Sequence, residues 1–166
     1  DAIAARRFRI VVDYGYSAAS LVLPLVLGPL GVEVVAAHAF TPSGEIGPRA
    51  NLRSLIGQSK KLVNAVGANF GVVFDRAGER LYLIDESGRE IPVEQALLLF
   101  LKLIGSNGRR GKLAFPVTVT GQVDRILKGS GLEVIPTPAS LSELTKAAAQ
   151  DGVIFAGALN GGYVFP

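Results

Sequence analysis

Short, β-branched apolar runs alternate with stretches of helical length along this chain, and that alternation restricts its fold more than any other feature. FRIVVD (8–13) leads into GYSAASLVLPLVLGPLG and then into VEVVAAHAF, a strand–helix–strand order. Two parallel strands need such a crossover between them. Gly15 and Ser17 offer a turn and an N-cap, and a helix is expected from about Ala18 to Leu30, kinked at Pro24 and ended by Gly31.

The pattern continues beyond the Pro- and Gly-rich loop TPSGEIGPRA (41–50). NLRSLIGQSKKLVNAVG places Leu52, Leu55, Ile56, Leu62, Val63 and Val66 at helical spacing, with Asn51 as the cap. ANFGVVFD and RLYLIDESG read as two strands, the second turned back by Asp85-Glu86-Ser87-Gly88 with Gly88 at positive φ. VEQALLLFLKLIG is a third helix, and SNGRRGK (106–112) is the best linker in the chain. After it the alternation restarts: strand LAFPV, a helix from about Gly121, strand LEVIPT, helix SLSELTKAAAQ opened by a Ser140/Glu143 capping box, strand GVIFAG, and a last strand at YVFP. The expected fold is α/β, a three-layer α/β/α sandwich with a mixed, mainly parallel sheet, in two units. Residues 1–107 form one complete domain and 108–166 an incomplete one.

Composition removes several classes. With 49% hydrophobic and 19% charged residues in 166, the chain is globular rather than disordered. Its longest apolar stretch, LVLPLVLGPLGVEVV, is broken by two prolines and two glycines, too short and too interrupted to span a bilayer. Net charge is +3 and reads as scattered solvated charge, Lys60-Lys61 and Arg109-Arg110 included, with no aromatic interleaving, so neither a nucleic acid nor a membrane is an expected partner. The absence of cysteine excludes disulfides and thiolate metal sites and suits the cytoplasm. Methionine is absent as well and residue 1 is Asp, so the chain is expected to be a piece of something longer. DAIAARRFRI has charge but no apolar core, which does not read as a secretory signal.

FRIVVDYGYSAAS, followed by GANFGVVFDRAGERLYLIDESGREI, resembles the second domain of the α-D-phosphohexomutases, the phosphoglucomutase and phosphomannomutase family. FAGALNGGYVFP stands where that family's third domain carries its sugar-recognition loop. In the family, the loop after the third strand is Asp-x-Asp-x-Asp-Arg, and its aspartates hold Mg2+ beside a catalytic phosphoserine. Here the loop is DRAGER: Asp75 and Arg80 remain, Ala77 stands at the second aspartate and Glu79 at the third. Magnesium demands near-octahedral oxygen geometry at short range. A positive charge such as Arg76 about 4 Å from a divalent ion costs roughly 2 kcal/mol even in water. The resemblance therefore implies a degenerate metal loop, with no metal bound by this fragment.

The sugar loop departs in the same way. The family's Gly-Glu-x-Ser-Gly-His becomes Gly157, Ala158, Leu159, Asn160, Gly161 and Gly162, so the glycines are kept and the polar side chains are replaced. The family's phosphoserine segment and its fourth, phosphate-binding domain have no counterpart in these residues. No catalytic residue is assigned, and the fragment is expected to be inactive by itself. It would serve as a structural or sugar-phosphate-binding module, with other domains of a parent chain, a sugar phosphate and a second copy as its expected partners. The nearer resemblance is to the mutase-like region of bacterial mannose-1-phosphate guanylyltransferase fusions, in sugar-nucleotide synthesis. The alternative is part of an active phosphohexomutase with an unorthodox metal loop.

If any ligand site survives in this loop, it is an anion site at Arg76 and Arg80. Two guanidiniums balance Asp75 and Glu79, and arginine pairs bidentately with phosphate. The competing arrangement pairs each arginine with a neighbouring carboxylate, and the loop then binds nothing. His38, the one histidine, lies at the end of an apolar strand with no second metal ligand near it in sequence and reads as structural. Ser17 lacks both a nucleophile elbow and a phosphate-binding glycine pattern.

Overall fold

The computed structural model describes residues 2–40, 51–116, 118 and 122–166. The 41–50 loop, Val117 at the end of LAFPV and the helix start at Gly121 lie outside the described residues. The elements are α1 (Ala2–Arg6), β1 (Arg9–Asp13), α2 (Ala19–Leu27), β2 (Glu33–Ala37), α3 (Leu52–Val66), β3 (Phe70–Phe74), β4 (Leu81–Asp85), β5 (Glu90–Ile91), α4 (Val93–Ser106), β6 (Lys112–Pro116), α5 (Gln122–Leu127), β7 (Glu133–Thr137), α6 (Leu141–Ala148), β8 (Val153–Gly157) and β9 (Tyr163–Val164). No helix among them is long and apolar enough to cross a membrane.

Two sheets form, ordered β2-β1-β3-β4-β5 and β7-β6-β8-β9. In the first, β1 pairs in parallel with both β2 and β3, while β3–β4 and β4–β5 are antiparallel, so only β4 opposes the common direction. In the second, β6 runs parallel to β7 and β8, and β9 turns back on β8. The two sheets thus share one topology through their first four strands. Each is a mixed, mainly parallel sheet with helices on its faces, as expected of an α/β chain.

The alternation of side chains along β1 explains the layers of the first unit. Val11 joins Val73 and Ile84 against Leu55, Ile56 and Val63 of α3. Ile10, Val12 and Tyr14 point to the other face, where Ala19, Leu23 and Leu27 of α2 and Phe74 pack on them. Gly71 allows α3 to lie close, because a Cβ there would come within 2.7 Å of Val63 Cγ2. Asn51 caps α3 by accepting from Arg53 N at 3.0 Å, as its position in the sequence implies.

Several expectations need correction. The compact units divide between Ile91 and Pro92, not at 107/108. The cause is α4: Leu97 and Leu101 are buried with Leu113, Phe115 and Phe155, in the core of the second unit. SNGRRGK is therefore the α4–β6 connection within that unit rather than a linker between domains. Ser17 is not the cap of α2. Ala18 occupies that position, and Ser17 Oγ donates instead to Tyr14 O at 2.6 Å. The α-helix ends at Leu27, and Gly28–Leu30 form a single 3-10 turn closed by Gly31 at φ +67°. At α6 the first half of the capping box is present, Glu143 N donating to Ser140 Oγ at 3.3 Å. The Glu143 carboxylate pairs with Lys146 at 2.6 Å.

Candidate functional site

In open α/β sheets, ligands bind beyond the carboxyl ends of the strands, where the strand order reverses. For β2-β1-β3 that point lies between the loop after β1 and the loop after β3. The two loops are pressed together. Gly15 lies at φ +56°, and a Cβ on it would stand 2.4 Å from Phe74 O. Opposite, a Cβ on Gly78 (φ +73°) would lie 3.4 Å from the Ser17 side chain. Any side chain at residue 15 would push β1 and β3 apart at this edge.

DRAGER is the β3–β4 hairpin turn. Asp75 N donates to Arg80 O at 3.0 Å, and Gly78 N to Asp75 O at 3.0 Å. The carboxylate of Asp75 folds back onto the turn: Oδ1 accepts from Glu79 N at 2.9 Å and Arg80 N at 3.1 Å. That oxygen carries out the backbone work of an Asx cap. Arg76, Ala77, Glu79 and Arg80 are exposed. Among the described residues no ion pair joins either arginine to Asp75 or Glu79, so the paired arrangement considered from the sequence is not formed. Nor do the described residues gather three or more His, Cys, Asp or Glu side chains around a metal position.

The second hairpin, β8–β9, holds the glycine-rich loop. Ala158 N donates to Gly162 O at 3.0 Å, and Asn160 Oδ1 accepts from Gly162 N at 3.1 Å. Gly161 sits at φ +86°, and a Cβ on Gly157 would meet Leu97 at 2.7 Å. Ala158 is buried in the cluster of Ala114, Leu144, Ala147 and Ala156. Where the family's glutamate would stand, the side chain therefore faces the core.

A constellation missed by sequence reasoning lies at the end of β1. Asp13 is fully buried and makes three hydrogen bonds. Its Oδ1 accepts from Gly15 N at 3.0 Å, and its Oδ2 accepts from Ser59 Oγ at 2.9 Å and contacts His38 Nδ1 at 2.9 Å. Tyr16 and His38 both adopt positive φ, +61° and +47°, which costs a non-glycine residue about 1–2 kcal/mol each. Tyr16 N donates to His38 O at 2.9 Å, and the two rings lie 5.0 Å apart at 59°. The available signal was a pair of polar residues on apolar faces: Asp13 closing a buried strand, and Ser59 on the inner side of α3.

Asp85, in the β4–β5 turn, is tied to both Ser87 and Arg89. Oδ1 accepts from Arg89 N at 2.9 Å, Ser87 Oγ at 2.7 Å and Ser87 N at 3.0 Å, while Oδ2 accepts from Arg89 Nε at 3.0 Å. The Arg89 amide first, and then the Ser87 hydroxyl, hold its pKa down to about 2. Gly88, at φ +73°, closes the turn. The charge is structural.

Residues 1–88, just over half of the chain, match the family model "Phosphoglucomutase/phosphomannomutase, alpha/beta/alpha domain II". The chain belongs to the phosphoglucomutase/phosphomannomutase family. It is 32% identical over 169 aligned positions to a phosphoglucomutase/phosphomannomutase of Thermococcus kodakarensis, covering 100% of this chain and 37% of that protein. A probable phosphoglucosamine mutase of Methanosarcina barkeri is 28% identical over 99% of this chain and 37% of its own length. The chain thus spans little more than a third of these relatives. A solved phosphoglucomutase/phosphomannomutase family protein from Burkholderia thailandensis superimposes with a TM-score of 0.78 at 23% identity, over 95% of this chain and 35% of that one. A putative phosphomannomutase from Thermus thermophilus gives 0.80 at 18% identity, over 99% and 39%. At these identities the structures bear on the fold alone.

Proposed function

We propose that this phosphohexomutase-family region holds a sugar phosphate or supports neighbouring domains, and does not itself transfer phosphate. One observation carries the reading: Asp75, the one aspartate retained in the DRAGER loop, gives its Oδ1 to the amides of Glu79 and Arg80. Ala77 offers no oxygen, and Arg76 adds a positive charge to the same turn. These residues do not fit Mg2+, which needs several converging oxygens. The free guanidiniums of Arg76 and Arg80 suit an anion better, phosphate being matched by the arginine fork. No step of catalysis is assigned to Ala158, Asn160 or the glycines around them, which close their own hairpin. The parent chain is proposed to be a mannose-1-phosphate guanylyltransferase fusion.

The second reading is a fragment of a working phosphohexomutase, and the 32% identity to the Thermococcus kodakarensis protein favours it. Calorimetric titration separates the loop chemistries. Weak or no heat with MgCl2, together with NMR shifts at residues 75–80 on adding mannose 1-phosphate that vanish in Arg80→Ala, is the expected result. Micromolar Mg2+ affinity would overturn the anion assignment. The residues encoded upstream of Asp1 test the parent: a nucleotidyltransferase domain supports the fusion, and a phosphoserine segment supports the mutase.

A further inference from the structure

A sheet ends in edge strands whose unpaired backbone groups must be blunted or covered. Among the described residues the two sheets end at β2, β5, β7 and β9. β5 and β9 have two residues each, too short to template a partner strand. β2 and β7 have five each and occupy equivalent places, both parallel to the first strand of their own sheet. In a parallel ladder successive residues turn their N–H and C=O alternately to the two sides. Glu33 N donates to Phe8 O, and Tyr14 N donates to Ala37 O. Glu33, Val35 and Ala37 therefore face β1, while Val34 and Ala36 turn their backbone groups outward. In β7, Glu133 N donates to Gly111 O, which leaves Val134 and Pro136 as the outward residues. Pro136 has no N–H to offer, a common protection of an edge. At the matching position β2 carries Ala36. Its one charged side chain, Glu33, stands at the start of the strand and is tied to Arg9 at 2.9 Å. The β2 edge is left open where the β7 edge is blocked.

Helix α2 borders that open edge. Its Ala19, Leu23 and Leu27 pack on Ile10 and Val12 of β1 and on Val34 of β2, so the helix lies over the strand pair. Right-handed winding of β1–α2–β2, with the helical repeat, turns Pro24 and Gly28 toward the β2 side. No charged residue occurs from Tyr14 to Val32, and Leu21, Val22, Leu25 and Val26 are exposed. A helix apolar all round belongs in an interior.

We propose that β2 and α2 form a two-fold interface between two copies of this chain. With the axis at Val35 the β2 strands pair antiparallel, and Val34 of one copy exchanges both main-chain hydrogen bonds with Ala36 of the other. The strands then lie about 4.8 Å apart. The α2 helices, each over its own β1–β2 pair, come to about 10 Å from one another, a normal spacing for packed helices. A second copy is the occupant because one operation supplies both a strand for the open edge and an apolar helix beside α2. The charge-free stretch meets itself without like-charge repulsion. The interface involves neither the arginine loop nor the glycine-rich loop, so its failure would leave the reading of residues 75–80 untouched.

Sedimentation equilibrium of the 166-residue chain, from low micromolar to submillimolar, should show reversible monomer–dimer exchange and nothing larger. Amide exchange at Val34 and Ala36 should slow as concentration rises, while Val134, outward on the blocked edge, stays unchanged. Ala36→Pro copies the device of β7 and should weaken the dimer about tenfold, since the lost donor recurs on both sides of the axis. Gly28→Arg is the second variant. A Cβ at Gly28 meets nothing within 4 Å and its φ is −56°, so the monomer accepts the side chain. In the antiparallel pair that cation approaches the N-terminal half of the other α2, and it too should weaken the dimer about tenfold. An unchanged α3 amide spectrum marks each variant as folded. A monomer at every concentration, a dimer indifferent to both folded variants, or growth beyond the dimer overturns the proposal.

Discussion

Replacing Gly15 by Ala tests whether contact between the β1 and β3 loops, rather than glycine's flexibility, organises this edge of the sheet. Gly67→Ala is the internal control. Both glycines are left-handed, at φ +56° and +60°. A Cβ at residue 67 meets nothing within 4 Å, whereas at residue 15 it stands 2.4 Å from Phe74 O and 3.3 Å from Asp75 C. Gly67→Ala should therefore lose only the conformational term, about 1–2 kcal/mol. Gly15→Ala adds a backbone clash that no rotamer relieves, and overpacking of that kind costs a further ~1–3 kcal/mol. The total of about 2–5 kcal/mol is a large share of an ordinary domain stability of roughly 5–15 kcal/mol. Urea unfolding followed by NMR cross-peaks of β1 and α3 measures both variants within the same unit. Equal losses, or a milder loss for Gly15→Ala, would refute the role given to this contact.

Other outcomes follow from the same structure. Asp85 has its folded pKa depressed from 3.8 to about 2, so it stabilises above 3.8 and that contribution is lost as the pH falls toward 2. Urea midpoints of the wild-type chain and Asp85→Asn should accordingly converge across that window and differ at neutral pH. Leu101→Ala, at a fully buried position of the α4 core, should cost about 2–5 kcal/mol by thermal unfolding. Leu25→Ala, at 74% exposure on α2, should be close to neutral. Ser140→Ala removes the cap of α6 and should cost about 0.5–2 kcal/mol, seen as faster amide exchange at Glu143.

What could be read in the sequence was what local chemistry dictates. Strand and helix order, the Asn51 cap and the left-handed Gly88 each depend on a handful of adjacent residues. The ownership of α4 does not. Its spacing announces an apolar stripe, but only the packed structure shows that Leu97 and Leu101 meet Leu113 and Phe155. Ser17 does not cap α2 because the helix begins one residue later, with Ala18 at the cap position, and the Ser17 hydroxyl donates locally to Tyr14 O. His38 shows no partner in the sequence because Asp13 is 25 positions away and is brought to it by parallel pairing of β1 and β2, while Ser59 reaches Asp13 from α3 packed on the sheet.

The shared topology of the two sheets gives the two candidate loops equivalent places, each within its own unit. DRAGER joins β3 to β4, and Ala158–Gly162 joins β8 to β9, each a hairpin from a parallel strand to the antiparallel strand beside it. The two hairpins have settled differently. In the second, Ala158 faces the core and Asn160 is bonded to Gly162 N, so the turn keeps its shape with little polar side chain left over. In the first, Asp75 alone secures the turn, and Arg76, Glu79 and Arg80 remain outside it and exposed. Carboxylate-to-backbone bonds maintain such a hairpin without any ligand, so the fold persists whether or not a site does. Hence retained shape is no argument for retained chemistry at either hairpin. The exposed charge at residues 76–80 is where the proposed anion binding is to be tested.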